Sequence, residues 1–235
     1  MKSQLNFVPV EVRPQPDTFH ARTGHEFKPV NSRVFKALKQ TEKYAEDNKM
    51  RINYKKTKLI LFNPGTKRDF MPRFVLDNKE ELEVVEETKL LGVVIRSDLS
   101  WGANTDYMVK RANSKLWCLR RLKKLGCNTS DLVDVFIKQI RSLLEFAVPV
   151  WHPGLTGLDR LRIERVQKSA CSIILGHRYV SYISALKQLG LETLYSRRNK
   201  LSTKFAKKAQ KHLKFKQWFK PNNRVRLTRG KMEFF

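Results

Sequence analysis

Two groups of residues in this chain have the chemistry to act on a ligand: a run of lysines and a pair of adjacent carboxylates. Lys55, Lys56 and Lys58 follow Asn53 in a stretch that reads as a short strand. Three ammonium groups so close together suit phosphate contact as well as plain solvation. Glu46 and Asp47 follow Tyr44-Ala45 within a helical pattern. A carboxylate pair holds catalytic metal ions only when a further acidic partner arrives from another element. None is supplied by an upstream strand, so a place on a helix surface is the expected role.

Cys118, Cys127 and Cys171 form no CxxC pair and have no histidine at finger spacing, which leaves a zinc site without ligands. His20, His25, His152, His177 and His212 are scattered and make no HExxH pair. The phosphate-cradling GxxxxGK-Ser/Thr, dinucleotide GxGxxG and nucleophile-elbow GxSxG patterns are absent too. No metal or cofactor is expected, and no self-contained catalytic constellation is present.

Charge is the larger signal. A chain of 235 residues with 41% apolar composition can bury a core in one or two domains. Forty-eight lysines and arginines against 22 acidic residues leave a net charge of +26. Nucleic acid is therefore the expected partner, and an anionic membrane surface the rival. The longest apolar stretch, Phe146 to Trp151, is broken by Pro149 and is far shorter than the roughly 20 residues that span a bilayer. Met1 to Val10 has one lysine and no apolar run of signal-peptide length, so an intracellular protein, cytoplasmic or nuclear and not secreted, is expected. The oligomeric state is not legible.

The elements that must position these residues suggest an α+β chain. Residues 1–33, with Pro9, Pro14, Pro16 and Pro29, read as an irregular leader. Val34 to Asn48 carries a loose helical pattern. An extended stretch from Ile52 to Phe62 stops at Asn63-Pro64-Gly65, and Phe74 to Leu76 and Leu82 to Val85 flank Asp77 to Glu80 as a hairpin would. Leu90 to Ile95 reads as a further strand, in which Gly92 suggests a bulge or a close backbone approach. A small antiparallel sheet over residues 34–97 is the expectation.

Helices take over in residues 98–215. Met108, Ala112, Leu116, Leu119 and Leu122 mark one that ends near Gly126. Its other face carries Lys110, Arg111, Lys115, Arg120, Arg121, Lys123 and Lys124 against Asp106 alone, an imbalance that phosphates would neutralise. Thr129 or Ser130 is the expected cap of a second helix, apolar over a wide arc from Leu132 to Leu144, central to the bundle, and ended by Pro149 and Pro153. A third runs from about Leu158 to Leu175 with Arg160, Arg162, Arg165 and Lys168 on its flank, and two more cover Tyr182 to Leu189 and Leu194 to Leu213. Trp117, Trp151 and Phe136 are expected to pack. Between Arg197 and Lys231 there are fourteen basic residues and no acidic one, interleaved with Phe205, Phe215, Trp218 and Phe219. The basic tail, residues 216–235, suits single-strand contact or the anchoring of the last helix.

Taken in order, several of these segments resemble the C-terminal part of a non-LTR, LINE-like retrotransposon reverse transcriptase. The residues are Tyr44-Ala45 and Asn48, Ile52 to Lys58 with Phe62, Thr88 to Val93, and Asp98 to Trp101. Further on come Leu119 to Leu122, Arg141 to Ala147 with Val150-Trp151-His152, and Glu164 to Lys168. The cover runs from about Arg33 to Pro221. The resemblance implies a palm remnant over 34–97, with the Lys-Thr segment and the Leu-Gly-Val strand as its last pieces, the second acting as primer grip. It implies a helical thumb over 98–215 that holds a primer-template duplex.

The resemblance also implies two Mg²⁺ ions in an intact polymerase, held by an early strand and a Phe/Tyr-x-Asp-Asp hairpin. This chain begins after both. Lys56 would neutralise the departing pyrophosphate in an intact enzyme, and is vestigial here. The expected nucleic-acid contacts are Lys55, Lys56, Lys58, Gly92, Lys110, Arg111, Lys115, Arg120, Arg121, Lys124, Arg165 and Lys168. The expected function is RNA-directed DNA polymerase ancestry with nucleic-acid binding and no polymerisation by this chain. A partial reading frame of an active enzyme and a domesticated RNA- or chromatin-binding protein are the alternatives.

Overall fold

A computed structural model describes residues 33–62, 74–75 and 81–216. The leader, the turn at Asn63-Pro64-Gly65, the loop Asp77 to Glu80, and Trp218 and Phe219 with the tail beyond 216 lie outside the described residues. The chain is mixed helix and strand and divides into two compact units, residues 1–103 and 104–235.

In the first unit, helix α1 (Arg33–Asp47) is followed by strands β1 (Lys58–Ile60), β2 (Phe74–Val75), β3 (Glu81–Val85), β4 (Glu87–Leu90) and β5 (Val93–Arg96). Helix α1 ends where Lys49 turns left-handed at φ +54°, so that the Met50 N–H reaches back to Ala45 O at 2.7 Å. Its inner face brings Leu38 onto buried Leu82, beside Tyr54, Leu59, Leu61 and Val84. The Tyr54 hydroxyl donates to Glu42 Oε1 at 2.5 Å.

The expectation of one antiparallel sheet is corrected. There are two sheets, β1-β3-β2 and β4-β5. The pair β2·β3 is the antiparallel one read from the sequence, with Phe74 opposite Leu82. However, β1 pairs with β3 in parallel, Lys58 opposite Glu83. The chain between β1 and β3 is long enough for a crossover, which a tight hairpin would forbid.

The expected strand Leu90 to Ile95 is corrected as well. Leu90 and Val93 pair across a two-residue loop, in which Leu91 and Gly92 take φ of +45° and +91°. A hairpin turn with both central residues left-handed matches strand twist. Gly92 is therefore a turn residue, not a bulge.

The second unit is helical: α2 (Gly102–Lys124), α3 (Thr129–Val135), a π-helical stretch (Phe136–Arg141), α4 (Ser142–Leu144), α5 (Val148–Trp151), α6 (Gly157–Leu175), α7 (Tyr182–Leu189), α8 (Leu194–Lys211) and α9 (Leu213–Lys216). The side chain of the residue immediately ahead of α3, α6, α7 and α8 sets each start. Asn128 accepts from the Asp131 N–H at 2.8 Å, which corrects the expected Thr129 or Ser130 cap. Thr156, Ser181 and Thr193 cap α6, α7 and α8 in the same way.

From α3 to α4 the helix is continuous, and Leu132, Phe136, Ile140 and Leu144 are each 0% exposed. Apolar residues spaced by four drift about 40° per step around an ideal α-helix. The π-helical turn at Phe136–Arg141 underwinds the rod and keeps the four on one face. These four form the deep stripe of the expected apolar arc, and Val133, Ile137 and Leu143 flank it half-buried. The rod ends at Leu144, not at the prolines. Glu145 leaves the helix, Ala147 turns to φ +52°, and Pro149 opens α5, where a missing N–H costs nothing. Helix α6 is the hub of the unit, packed against α3, α7 and α8.

Candidate nucleic-acid interface

Helix α2 carries the candidate interface. Its buried stripe is Met108, Ala112, Leu116 and Leu119, at steps of four, four and three. Lys110, Arg111, Lys115, Arg120, Arg121 and Lys124 all fall off that stripe and are exposed. None has a carboxylate partner among the described residues. Arg111 donates to the Tyr107 hydroxyl at 3.2 Å and lies 5.4 Å from its ring centroid, which turns the guanidinium along the helix surface. The helix's one acid, Asp106, is bonded to Arg162 of α6. Arg165 and Lys168, exposed on α6, follow Arg162 at three-residue steps along that helix.

Trp117 corrects an expectation. It does not pack: it is 65% exposed, whereas Trp151 and Phe136 are 0% exposed. On a 100° per residue wheel it sits opposite the core stripe, with Lys110 and Lys124 two turns away on either side and Arg120 and Arg121 one turn on. An indole face open to solvent among cations has the chemistry to stack on an unpaired base. The spacing signal was present in the sequence, since position 117 falls outside the apolar stripe.

The lysines and Gly92 belong to the first unit. Lys55 and Lys56 are exposed, on a 3₁₀ turn rather than the expected strand. Asn53 causes the turn: its Oδ1 accepts the Lys56 N–H at 3.2 Å, and its carbonyl accepts the Thr57 hydroxyl at 2.9 Å. Lys58 is on β1 and pairs with Glu83 of the parallel neighbour at 3.2 Å, so its charge is partly spoken for. Gly92 sits at a hairpin tip beside Leu91, which is 88% exposed.

Glu46 and Asp47 are exposed at the end of α1. Among the described residues no three His, Cys, Asp or Glu side chains gather to hold a metal. The carboxylates there do not fit a two-metal centre. Burial pushes the Cys171 thiol up to about 11, away from a reactive thiolate.

Several residues of the ordered series prove to be scaffold. Glu164 Oε1 accepts the Tyr182 hydroxyl at 2.5 Å and the Leu194 N–H at 3.0 Å, and Oε2 accepts the Tyr195 N–H at 3.3 Å. A carboxylate thus caps the start of α8, favoured by the helix dipole. Burial, then this carboxylate, pushes the Tyr182 phenol far above its ordinary value. Gln167 donates to the Tyr182 hydroxyl at 2.9 Å and to Glu192 O at 2.8 Å. Glu145 is gripped by Arg197 through both oxygens, one pair at 2.9 Å, and the bond to Glu145 holds the Arg197 pKa up. Trp151 donates to Phe146 O at 2.8 Å, which fixes the corner after α4.

No helix among the described residues is long and apolar enough to cross a membrane. Comparison with protein-family models, curated proteins and solved structures gave no significant match.

Proposed function

We propose that this chain is a non-LTR retrotransposon reverse transcriptase fragment, a palm remnant followed by a thumb, that binds nucleic acid through α2 and does not polymerise by itself. The observation that carries the reading is the exposed face of α2: six cations without carboxylate partners among the described residues, around an open Trp117. The ordered sequence resemblance supports the ancestry. Binding of this kind is dominated by phosphate contacts and depends little on base sequence.

The test replaces Lys110, Arg111, Lys115, Arg120 and Lys124 by Gln, leaving Leu116 and Leu119 untouched. With about three of the five on phosphates, the slope of log K against log salt for DNA duplex, RNA duplex or hybrid becomes shallower by roughly two to three units. Thermal stability stays level or rises as self-repulsion falls. An unchanged slope removes α2 from the interface.

A further inference from the structure

Among the described residues, Arg198 is the most enclosed cation of the helical unit. It is 0% exposed, and its Nε, Nη1 and Nη2 have no hydrogen-bond partner among the described residues. A guanidinium keeps its proton and its five donors at any pH the protein survives, so the charge needs an acceptor in place. The carboxylates that act on it, Glu164 and Glu145, are committed elsewhere. Glu164 serves Tyr182 and the α8 amides, and Glu145 serves Arg197.

A second cation deepens the imbalance. Arg160 repels Arg198 electrostatically, and its own Nε is buried without a partner. Its guanidinium lies 5.6 Å from the Tyr195 ring centroid. Both arginines act on His152, which is 5% exposed and whose ring stands edge-on to Tyr195 at 6.0 Å. His152 Nε2 is 2.6 Å from Asn199 Oδ1. That oxygen can only accept, so Nε2 carries the hydrogen and Nδ1 presents a lone pair, itself without a partner.

We propose that Arg198, Arg160 and His152 form a binding site for one phosphate-class oxyanion, either free phosphate or the terminal phosphate monoester of a nucleotide chain. Water would satisfy the donors but leave the two positive charges uncompensated. A carboxylate brings one charge and two oxygens. Phosphate brings up to two charges and enough oxygens for both guanidiniums, and its monoprotonated form offers an O–H to His152 Nδ1. A phosphate inside a strand is flanked by sugars on both sides and carries one charge, so only a free or terminal group enters an enclosed site. Tyr195, 43% exposed, and Arg160, half-buried, mark where the cluster meets solvent. The site uses none of the α2 cations.

The experiment titrates inorganic phosphate into the full chain at ionic strength fixed with potassium chloride, and reads the melting temperature and the ³¹P linewidth. A saturable response with one phosphate per chain is expected, lost in Arg198→Met and weakened at least tenfold in Arg160→Gln. The five-glutamine α2 variant should keep it. Arg160→Gln, at a half-buried position, keeps the test decisive if Arg198→Met does not fold. A 5′-phosphorylated oligonucleotide that competes with phosphate better than its 5′-hydroxyl counterpart identifies a terminal monoester as the occupant. Equal competition identifies free phosphate. A response no larger than that to chloride, or a saturable response unchanged by Arg160→Gln, overturns the proposal.

Discussion

Arg162 of α6 bonds to Asp106 of α2, and the bond takes the only carboxylate of α2 out of play. The same guanidinium lies 3.7 Å from Asp159 Oδ1, so α6 holds it from behind. A face that the sequence shows as many cations against one acid is, in the fold, cations alone.

Arg162→Gln should therefore weaken nucleic-acid binding without removing a phosphate contact from α2, because it releases Asp106 as a negative charge beside Lys110. The salt slope should become shallower by about one unit. Asp106→Asn in the same chain should restore it. A double variant as weak as the single one would show that Arg162 itself touches phosphate.

Trp117→Ala should cost about 1 to 3 kcal/mol in single-strand affinity, the worth of one stacked base, and leave stability within about 0.5 kcal/mol, as an exposed side chain does. Trp151→Ala should instead destabilise by about 3 to 5 kcal/mol, because a fully buried indole leaves a cavity. Competition between single-stranded and duplex oligonucleotides, with a urea melt of each variant, separates the two tryptophans.

Hydrogen exchange should protect Leu132 to Leu144 more than Lys58 to Ile60. The first stretch buries four side chains completely, while β1 has only three residues and an exposed lysine. Short strands on a small sheet open locally at low cost. Equal protection would mean that the first unit gains strand partners in solution, as a dimer through a sheet edge would supply.

Burial holds the His152 pKa below its ordinary value of 6.5, the Asn199 bond opposes that, and the Arg198 and Arg160 charges add to the depression. The folded state thus binds fewer protons than the unfolded state below pH 6.5. Stability should be complete above that pH and fall as the pH drops through it toward the folded value. Urea melts in phosphate-free buffer between pH 5 and 7.5 should show this slope, and His152→Gln should flatten it. An unchanged slope in the variant would assign the acid sensitivity to other groups.

The core stripe and the basic face of α2 were legible in the sequence. The α2 stripe from Met108 to Leu119 recurs at helical steps, and the cations between its members must then point outward. Both facts are local, because a 3.6-residue period needs no knowledge of what lies opposite. The antiparallel pairing of β2 with β3 was equally legible, since the two runs flank a short polar loop.

Tertiary structure decided everything that depends on a partner distant in the chain. The parallel register of Lys58 with Glu83, the bond from Arg162 to Asp106, the Glu164 cap on α8 and the uncompensated burial of Arg198 join residues 25 or more positions apart, or follow from such joins. No periodicity encodes which carboxylate an arginine meets. The turn at Leu91-Gly92 and the π-helical winding at Phe136–Arg141 were hidden for a related reason: a strand-like run and an apolar helical run are each compatible with two backbones, and packing selects one. Trp117 is the exception, a residue whose exposure the helical spacing already contained and which the general preference of tryptophan for cores concealed.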